Sequence, residues 1–347
     1  MNIGERRRIG RTAVEVTEIG LGGAPLGNHF GELRDEAARA TIEAGLGGGV
    51  RYFDTAPKYG YGLSEHRMGD ALRHHGRERF VLSTKVGCLL SASAEPRRAD
   101  DEFTNALPFA ARYDYSYDAV MRSVEDSLQR LALNRIDILL MHDVDSRTHG
   151  TQVREVFQAA MNGGYRALDS LRGQGVIGAF GLGVNEWEIC LEAMGHGDFD
   201  CFLVGGRYTL LEQGALETLL PECERRTVSM IVGGPFNSGI LATGAAAKGY
   251  YDYAAPPPGI VAAVAGIEAV CKAHAVPLAA AALQFPLGHS AVAAVVAGAR
   301  SAAEVKQNLA LFETPIPEGL WSDLKGEGLL HADAPTPRFA AMIEETP

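Results

Sequence analysis

Eight short strand-like runs, many of them nearly all apolar, recur along the chain, at 17–22, 50–54, 80–86, 136–142, 176–182, 199–204, 228–233 and 293–298. Longer helical patterns lie between and after them, near 34–46, 64–74, 117–132, 152–173, 186–195, 212–224, 260–285 and 302–312. Runs such as Ile136-Asp137-Ile138-Leu139-Leu140 and Val228-Ser229-Met230-Ile231-Val232 do not alternate polar with apolar residues. A strand of that kind must be covered on both faces, which is the lot of parallel strands packed under helices. Eight strands, each followed by a helix, is the count of an α/β protein closed as a (β/α)8 TIM barrel. The 347 residues suffice for one such domain over 1–347, with 313–347 as a C-terminal tail. The helix at 117–132 carries Val120, Val124, Leu128 and Leu131 at steps of three and four. Asp118 falls in its first turn and Arg130 in its last, as the helix dipole favours.

Composition narrows the class of function. The formal charge of -11 argues against nucleic acid and anionic membrane as main partners. Cys88, Cys190, Cys201, Cys223 and Cys271 are widely spaced and lack a C-x-x-C, so they read as reduced thiols of a cytoplasmic protein. The N-terminus has no apolar signal core, and the apolar stretch near Val276–Leu283 is too short to span a bilayer. The histidines are scattered without ligand spacing, and no metal is expected.

In a barrel of this class the chemistry gathers where the strands end. Asp54 and Tyr59 follow the second run, Lys85 ends the third and His142 ends the fourth. A tyrosine needs help to exchange a proton near neutral pH, because its ordinary pKa is near 10. A lysine beside it is expected to lower that value, and an aspartate to keep the lysine charged and in place. A histidine can donate a hydrogen bond to a substrate oxygen. Taken singly, each of the four has a structural explanation as a loop cap, a packing ring, a solvated charge or a core histidine. Their coincidence after three consecutive strands favours a proton-transfer group. It holds no nucleophile for acyl transfer and no second carboxylate placed for glycoside hydrolysis. Two long connections follow strands on the same face, about 87–116 and 234–259, and long loops of this kind are usually functional or disordered. The tail, with Pro315, Pro317, Pro335 and Pro337, reads either as a lid over the mouth or as a loose end.

The segments Asp54-Thr55-Ala56-Pro57-Lys58-Tyr59-Gly60, Ser64-Glu65, Ser83-Thr84-Lys85 and Leu139-Leu140-Met141-His142 resemble the aldo-keto reductase superfamily. So do Gly181-Leu182-Gly183-Val184-Asn185 and Val296-Ala297-Gly298-Ala299-Arg300-Ser301, with Glu304, Gln307 and Asn308. Their order covers roughly residues 8–312. The resemblance implies a barrel that binds a nicotinamide cofactor without a Rossmann domain. It implies Asp54, Tyr59, Lys85 and His142 as the catalytic set, with Tyr59 as acid and base. Asn185 is expected at the carboxamide, although the serine usual before it is Val184 here, and Gly205-Gly206-Arg207-Tyr208 stands where a glutamine is common. Phe236, Ser238 and Gly239 fall in the segment expected along the nicotinamide and pyrophosphate, Phe236 either as a stacking ring or as a core aromatic. Gly298, Arg300, Ser301, Glu304, Gln307 and Asn308 are expected at the adenosine end.

Arg300 at the start of the last long helix favours NADP if it pairs with a 2′-phosphate, and NAD if it stacks on adenine. Glu304 on the ribose hydroxyls favours NAD. The balance leans slightly to NADP, with some dual use. Gly20-Leu21-Gly22-Gly23 lacks the spacing of a dinucleotide fingerprint and reads as the close-packed end of the first strand.

Within the superfamily, Gly206-Arg207-Tyr208-Thr209-Leu210-Leu211 and Gly233-Gly234-Pro235-Phe236-Asn237-Ser238-Gly239-Ile240-Leu241 are similar to a bacterial group of L-fucose, D-threo-aldose 1- and pyridoxal 4-dehydrogenases. That resemblance implies oxidation of a cyclic hemiacetal, such as the anomeric carbon of an aldose or pyridoxal itself, to a lactone. Trp187, Arg207 and Tyr113, with Phe103 and the tail near Trp321, are the expected substrate contacts. General aldehyde or ketone reduction is the neighbouring alternative, and a cofactor-binding regulatory protein with little turnover is the alternative from another class.

Overall fold

A strand whose residues are nearly all buried has two faces to cover, and closure into a barrel with an outer helical ring covers both. The computed structural model describes residues 1–29, 31–95, 102–246 and 249–337. Its eight barrel strands are Ile19–Gly22, Tyr52–Asp54, Val81–Val86, Ile138–His142, Ala179–Val184, Cys201–Gly205, Ser229–Gly233 and Val292–Gly298. Each pairs in parallel with the next, and the eighth closes on the first. Every strand run read from the sequence is therefore present.

The period of two along a strand sorts its side chains between two cores. Tyr52, Ile138, Leu140, Ala179 and Leu203 point inward and fill the barrel with Ile231 and Ala294. Phe53, Leu82, Leu139 and Met141 point outward, under the helices. Asp54 lies two residues beyond Tyr52 and His142 two beyond Leu140, so both point inward at the C-terminal mouth, just above the apolar filling. Ser83 and Lys85 share the inward phase on the third strand. The register sets Asp54 beside Ser83, and His142 beside Gly183. One strand parity thus carries the apolar filling and then the polar mouth.

The glycines of the first strand are steric requirements. A Cβ on Gly20 would lie 2.7 Å from the Tyr52 ring, and one on Gly22 would lie 3.1 Å from Val296. The reading of this stretch as a close-packed strand end holds.

Four features depart from the sequence reading. An antiparallel hairpin of Arg6–Arg8 and Glu15–Thr17 precedes the barrel and sends Ile9 and Val16 into its interior from the N-terminal end. A second hairpin, Cys88–Ala92 with Phe109–Tyr113, rises from the loop after the third strand. The stretch 260–285 is two helices, Pro258–Ala273 and Leu278–Gln284, because Ala275 turns left-handed (φ 55) and Pro277 cannot continue the first. The tail forms a helix, Glu318–Gly326, whose Leu320, Trp321 and Leu324 are buried. Trp321 packs on Phe285 with ring centres 6.2 Å apart. This corrects both the lid and the loose end over the described tail, and it removes Trp321 from the substrate side. The tail residues 338–347 lie outside the described residues.

The expected helix at 117–132 spans Tyr117–Leu131, capped by Ser116, whose hydroxyl accepts from the Ala119 N–H. Arg130 does more than face the helix dipole. It donates to Glu65 at 2.5 Å, and Thr84 donates to the other Glu65 oxygen at 2.7 Å. Glu65 is fully buried, so removing either donor would leave a costly unpaired charge. This pair fixes the helix that follows Tyr59 against the third strand.

Candidate active site

The C-terminal mouth holds a cavity of about 550 Å³ lined by Asp54, Tyr59, Lys85 and His142. Lys85 is 1% exposed, and its ammonium donates to Asp54 Oδ2 at 2.7 Å and to the Thr55 carbonyl at 2.9 Å. The Ser83 hydroxyl donates to Asp54 Oδ1 at 2.6 Å and meets the Tyr52 hydroxyl at 3.0 Å. Both Asp54 oxygens are thereby occupied, and the carboxylate is locked in one orientation. Lys85 reaches this position because residue 183 is glycine. A Cβ there would lie 3.2 Å from Lys85 Cε.

The Lys85 ammonium lies 4.7 Å from the centre of the Tyr59 ring, and the His142 ring meets that ring edge-on at 5.8 Å. Phe103 packs on the other side of Tyr59 at 6.1 Å. Among the described residues the Tyr59 hydroxyl takes no protein hydrogen bond, so it is open to a ligand in the cavity. Burial pushes the Tyr59 hydroxyl well above its ordinary pKa, and Asp54, Tyr253, Asp143 and Glu102 push the same way. Desolvation by burial is the largest cause and sets the direction of this shift. Tyr59 is held as a protonated acid. Burial, then Lys85 and Lys58, hold His142 well below its ordinary value, so the imidazole is neutral. Its Nδ1 is buried without a partner, while Nε2 lies 3.6 Å from Asp143 Oδ1.

The remaining wall comes from the loops after strands five to eight. Nine glycines line the cavity, Gly205, Gly206, Gly234, Gly239 and Gly298 among them. A Cβ on Gly239 (φ 104) would meet no protein atom within 4 Å and would project into open space. Such a floor lets a planar ring or a phosphate chain approach the backbone closely. Asn185, Phe236, Ser238, Arg300 and Glu304 also line it. Ser301 caps the helix Ala302–Glu313, its hydroxyl accepting from the Glu304 N–H, and Glu304 accepts the Arg300 N–H at 2.8 Å. The Arg300 guanidinium donates to the Glu32 carbonyl at 3.1 Å. Gln307 and Asn308 lie one turn further along this helix, outside the cavity lining. These features fit a nicotinamide dinucleotide lying from Asn185 and Phe236 toward Ser301.

The expected substrate residues separate. Arg207 lines the cavity, donating to the Asn185 carbonyl at 3.0 Å and to Asp252 at 3.2 Å. Tyr113 reaches the site through Asp143, to which its hydroxyl donates at 2.7 Å. Trp187 stands outside the lining, with its indole nitrogen near Gly214, where it opens the helix Glu188–Met194. Several residues escaped the sequence reading, Asp143 in the cavity lining among them. Ser83 completes the Asp54 lock. Asn237 bonds Thr209 and the Gly206 carbonyl, tying two floor loops together. Asp252 and Tyr253 both line the cavity, and Asp252 also accepts from Arg147. Only Ser83 and Asn237 sat in motifs quoted from the sequence, and no local pattern marked Asp252 or Tyr253.

A model of the aldo/keto reductase family matches residues 18–326, most of the chain. The chain belongs to the aldo/keto reductase family. Aldo/keto reductases act on small molecules with a nicotinamide cofactor, and this barrel is an enzyme of that family. It is 44% identical to a pyridoxal 4-dehydrogenase of Microbacterium luteolum, over 94% of this chain and 98% of that protein. It is 37% identical to a D-threo-aldose 1-dehydrogenase of a Pseudomonas species, over 93% of this chain and 96% of that one. Among solved structures, an aldo-keto reductase of Bacillus halodurans in its holo form superposes with a TM-score of 0.72 at 25% identity, over 94% of this chain and 97% of that one.

Proposed function

We propose that this family member is an NAD(P)-dependent dehydrogenase that oxidises the anomeric carbon of an aldose to a lactone. One observation carries the reading. An acid locked on both oxygens holds a buried lysine beside a tyrosine whose hydroxyl opens into the cavity, with a neutral histidine across from it. The 37% identity to a D-threo-aldose 1-dehydrogenase supports the substrate class. Pyridoxal, itself an internal hemiacetal, is the second reading, favoured by the 44% identity to a pyridoxal 4-dehydrogenase.

A bound nicotinamide dinucleotide supplies the hydride acceptor. Asn185 and Phe236 would hold its ring end, Ser238 and Gly239 its pyrophosphate, and Gly298, Arg300, Ser301 and Glu304 its adenosine end, with Gln307 and Asn308 one turn behind them. Tyr59 takes the proton of the substrate hydroxyl as the carbinol is oxidised, and returns it in the reverse direction. Neutral His142 orients the same substrate oxygen. Lys85 stabilises the Tyr59 phenolate that accepts this proton, and Asp54 keeps Lys85 charged and in place. Arg300 favours NADP through a 2′-phosphate, while the Glu304 carboxylate at the same helix start keeps NAD in use.

The test is formation of reduced nicotinamide with L-fucose, L-galactose, D-arabinose and pyridoxal, each tried with both nucleotides. Turnover of an aldose supports the first reading, and turnover of pyridoxal alone supports the second. Cofactor binding without any turnover would sink both. Tyr59→Phe is expected to lose about 10²–10⁴-fold in kcat while cofactor affinity stays near that of the parent. Near-parental turnover would remove Tyr59 from the acid–base role.

A further inference from the structure

Asp143 is a carboxylate in the cavity wall that the proton-transfer group does not use. It follows His142 directly, in the left-handed region at φ 54. Aspartate tolerates that conformation better than most residues, yet not freely. Its backbone N–H donates to the Gly183 carbonyl at 2.8 Å, which pins the turn. The side chain is only 15% exposed. Its Oδ2 accepts from the Tyr113 hydroxyl. Its Oδ1 takes no hydrogen bond among the described residues, and the nearest donor, His142 Nε2 at 3.6 Å, is too far for one. The nearby cations are committed elsewhere, Lys85 to Asp54 and Lys58 to Glu102. An ionised carboxyl has about four acceptor positions. A largely buried one with a single donor is undersupplied, and the missing donors have to come from whatever fills the cavity.

We infer that Asp143 selects a hydroxylated substrate: its Oδ1 accepts the hydroxyl on the carbon next to the reacting one, while Tyr59 and His142 hold the reacting oxygen. The inference rests on the aldose reading above. His142 Nε2 and Asp143 Oδ1 present a donor and an acceptor 3.6 Å apart, so each can meet one of two oxygens on neighbouring sugar carbons. A polar pair of this kind serves a diol. A plain aldehyde would leave the carboxylate as undersupplied as before, and sites that bond a substrate hydroxyl discriminate strongly against analogues lacking it.

The experiment compares kcat/KM for an aldose and its 2-deoxy form in the parent protein, Asp143→Gly, Asp143→Asn and Tyr113→Phe. Glycine removes the carboxylate at a φ it adopts freely. The parent should prefer the 2-hydroxy sugar by about 10- to 100-fold, the worth of a hydrogen bond to a charged acceptor. Asp143→Gly should bring that ratio to near unity, whereas Tyr113→Phe, which keeps the carboxylate, should retain most of it. Titration with reduced nicotinamide reports whether each variant is folded, and Asp143→Asn gives the same readout, with a reduced ratio, should the glycine variant fail to fold. Equal losses on both sugars, an unchanged ratio in Asp143→Gly, or a parent without preference would overturn the inference and leave the aldose reading standing. A parent that turns over pyridoxal or a simple aldehyde but neither sugar would overturn both, and that result appears before any variant is made.

Discussion

At the scale of single residues, the cavity holds its two proton-bearing rings in defined states. Burial raises the Tyr59 hydroxyl well above its ordinary value and lowers the His142 imidazole well below its own. The signs give a pH profile. An acid with a raised pKa stays protonated through neutrality and is lost only far into the alkaline range. A histidine with a lowered pKa stays neutral until well into the acid range. Reduction, which needs Tyr59 as an acid beside neutral His142, should therefore vary by less than about threefold in kcat/KM from about pH 6 to about pH 9. Oxidation needs Tyr59 to give up its proton, so its rate should climb with pH across the alkaline side. Measuring both directions over one pH series checks this, and a reductive rate that falls through neutrality with a single ionisation would place the proton on another group. The Lys85 ammonium, expected to tune Tyr59, donates to Asp54 at 2.7 Å. How deeply Tyr59 is buried is not legible in a local motif, and burial decides the direction.

At the scale of elements, the barrel strands were legible because they are buried on both faces and most write a largely apolar run. Elements that close the ends write no such run. Arg6–Arg8 pairs with Glu15–Thr17, and three successive arginines do not read as a strand. The helix Glu318–Gly326 was hidden by its flanking prolines, although Pro317 stands at its start, where proline is compatible with a helix. Pro277 marks the break after Ala273, but apolar residues continue across it and mask it. Ser301 caps the start of Ala302–Glu313, its hydroxyl accepting from the Glu304 N–H. That helix start carries a prediction on nucleotide choice. Arg300→Ala should weaken NADP by about 10- to 100-fold more than NAD, the loss of one charge-assisted phosphate contact. Glu304→Gln should shift the ratio toward NADP, since it removes a negative charge from the same place. Dissociation constants for both nucleotides in both variants check this, and equal losses in Arg300→Ala would point to stacking on adenine instead.

At the scale of the whole molecule, chemistry and closure sit at opposite ends of one barrel. The proposed catalytic set lies where the strands end, whereas the N-terminal hairpin plugs the other mouth with Ile9 and Val16. Arg7 joins that hairpin to the closing strand. Its guanidinium donates to Glu18 at 2.6 Å, to the Val292 carbonyl at 2.7 Å and to the Leu287 carbonyl at 3.0 Å. Glu18 is 4% exposed, and its Oε2 has no partner, so Arg7 supplies the positive charge beside this buried carboxylate. Replacing Arg7 with methionine keeps much of the stem packing and removes the guanidinium. The stranded carboxylate and carbonyls should cost about 3 kcal/mol, at the lower end for a broken buried pair because Arg7 itself is partly exposed. For a chain of this length that is a fall of about 5 °C in Tm. Bottom-face changes in such barrels act on stability, and the reacting groups stand beyond the whole apolar filling. The kcat/KM of the folded variant at 25 °C should therefore stay within about twofold of the parent. Calorimetry beside steady-state rates separates the two effects. A large loss of kcat/KM at unchanged Tm would mean that the two ends of the barrel are coupled, contrary to the division of labour that the strand parity sets up.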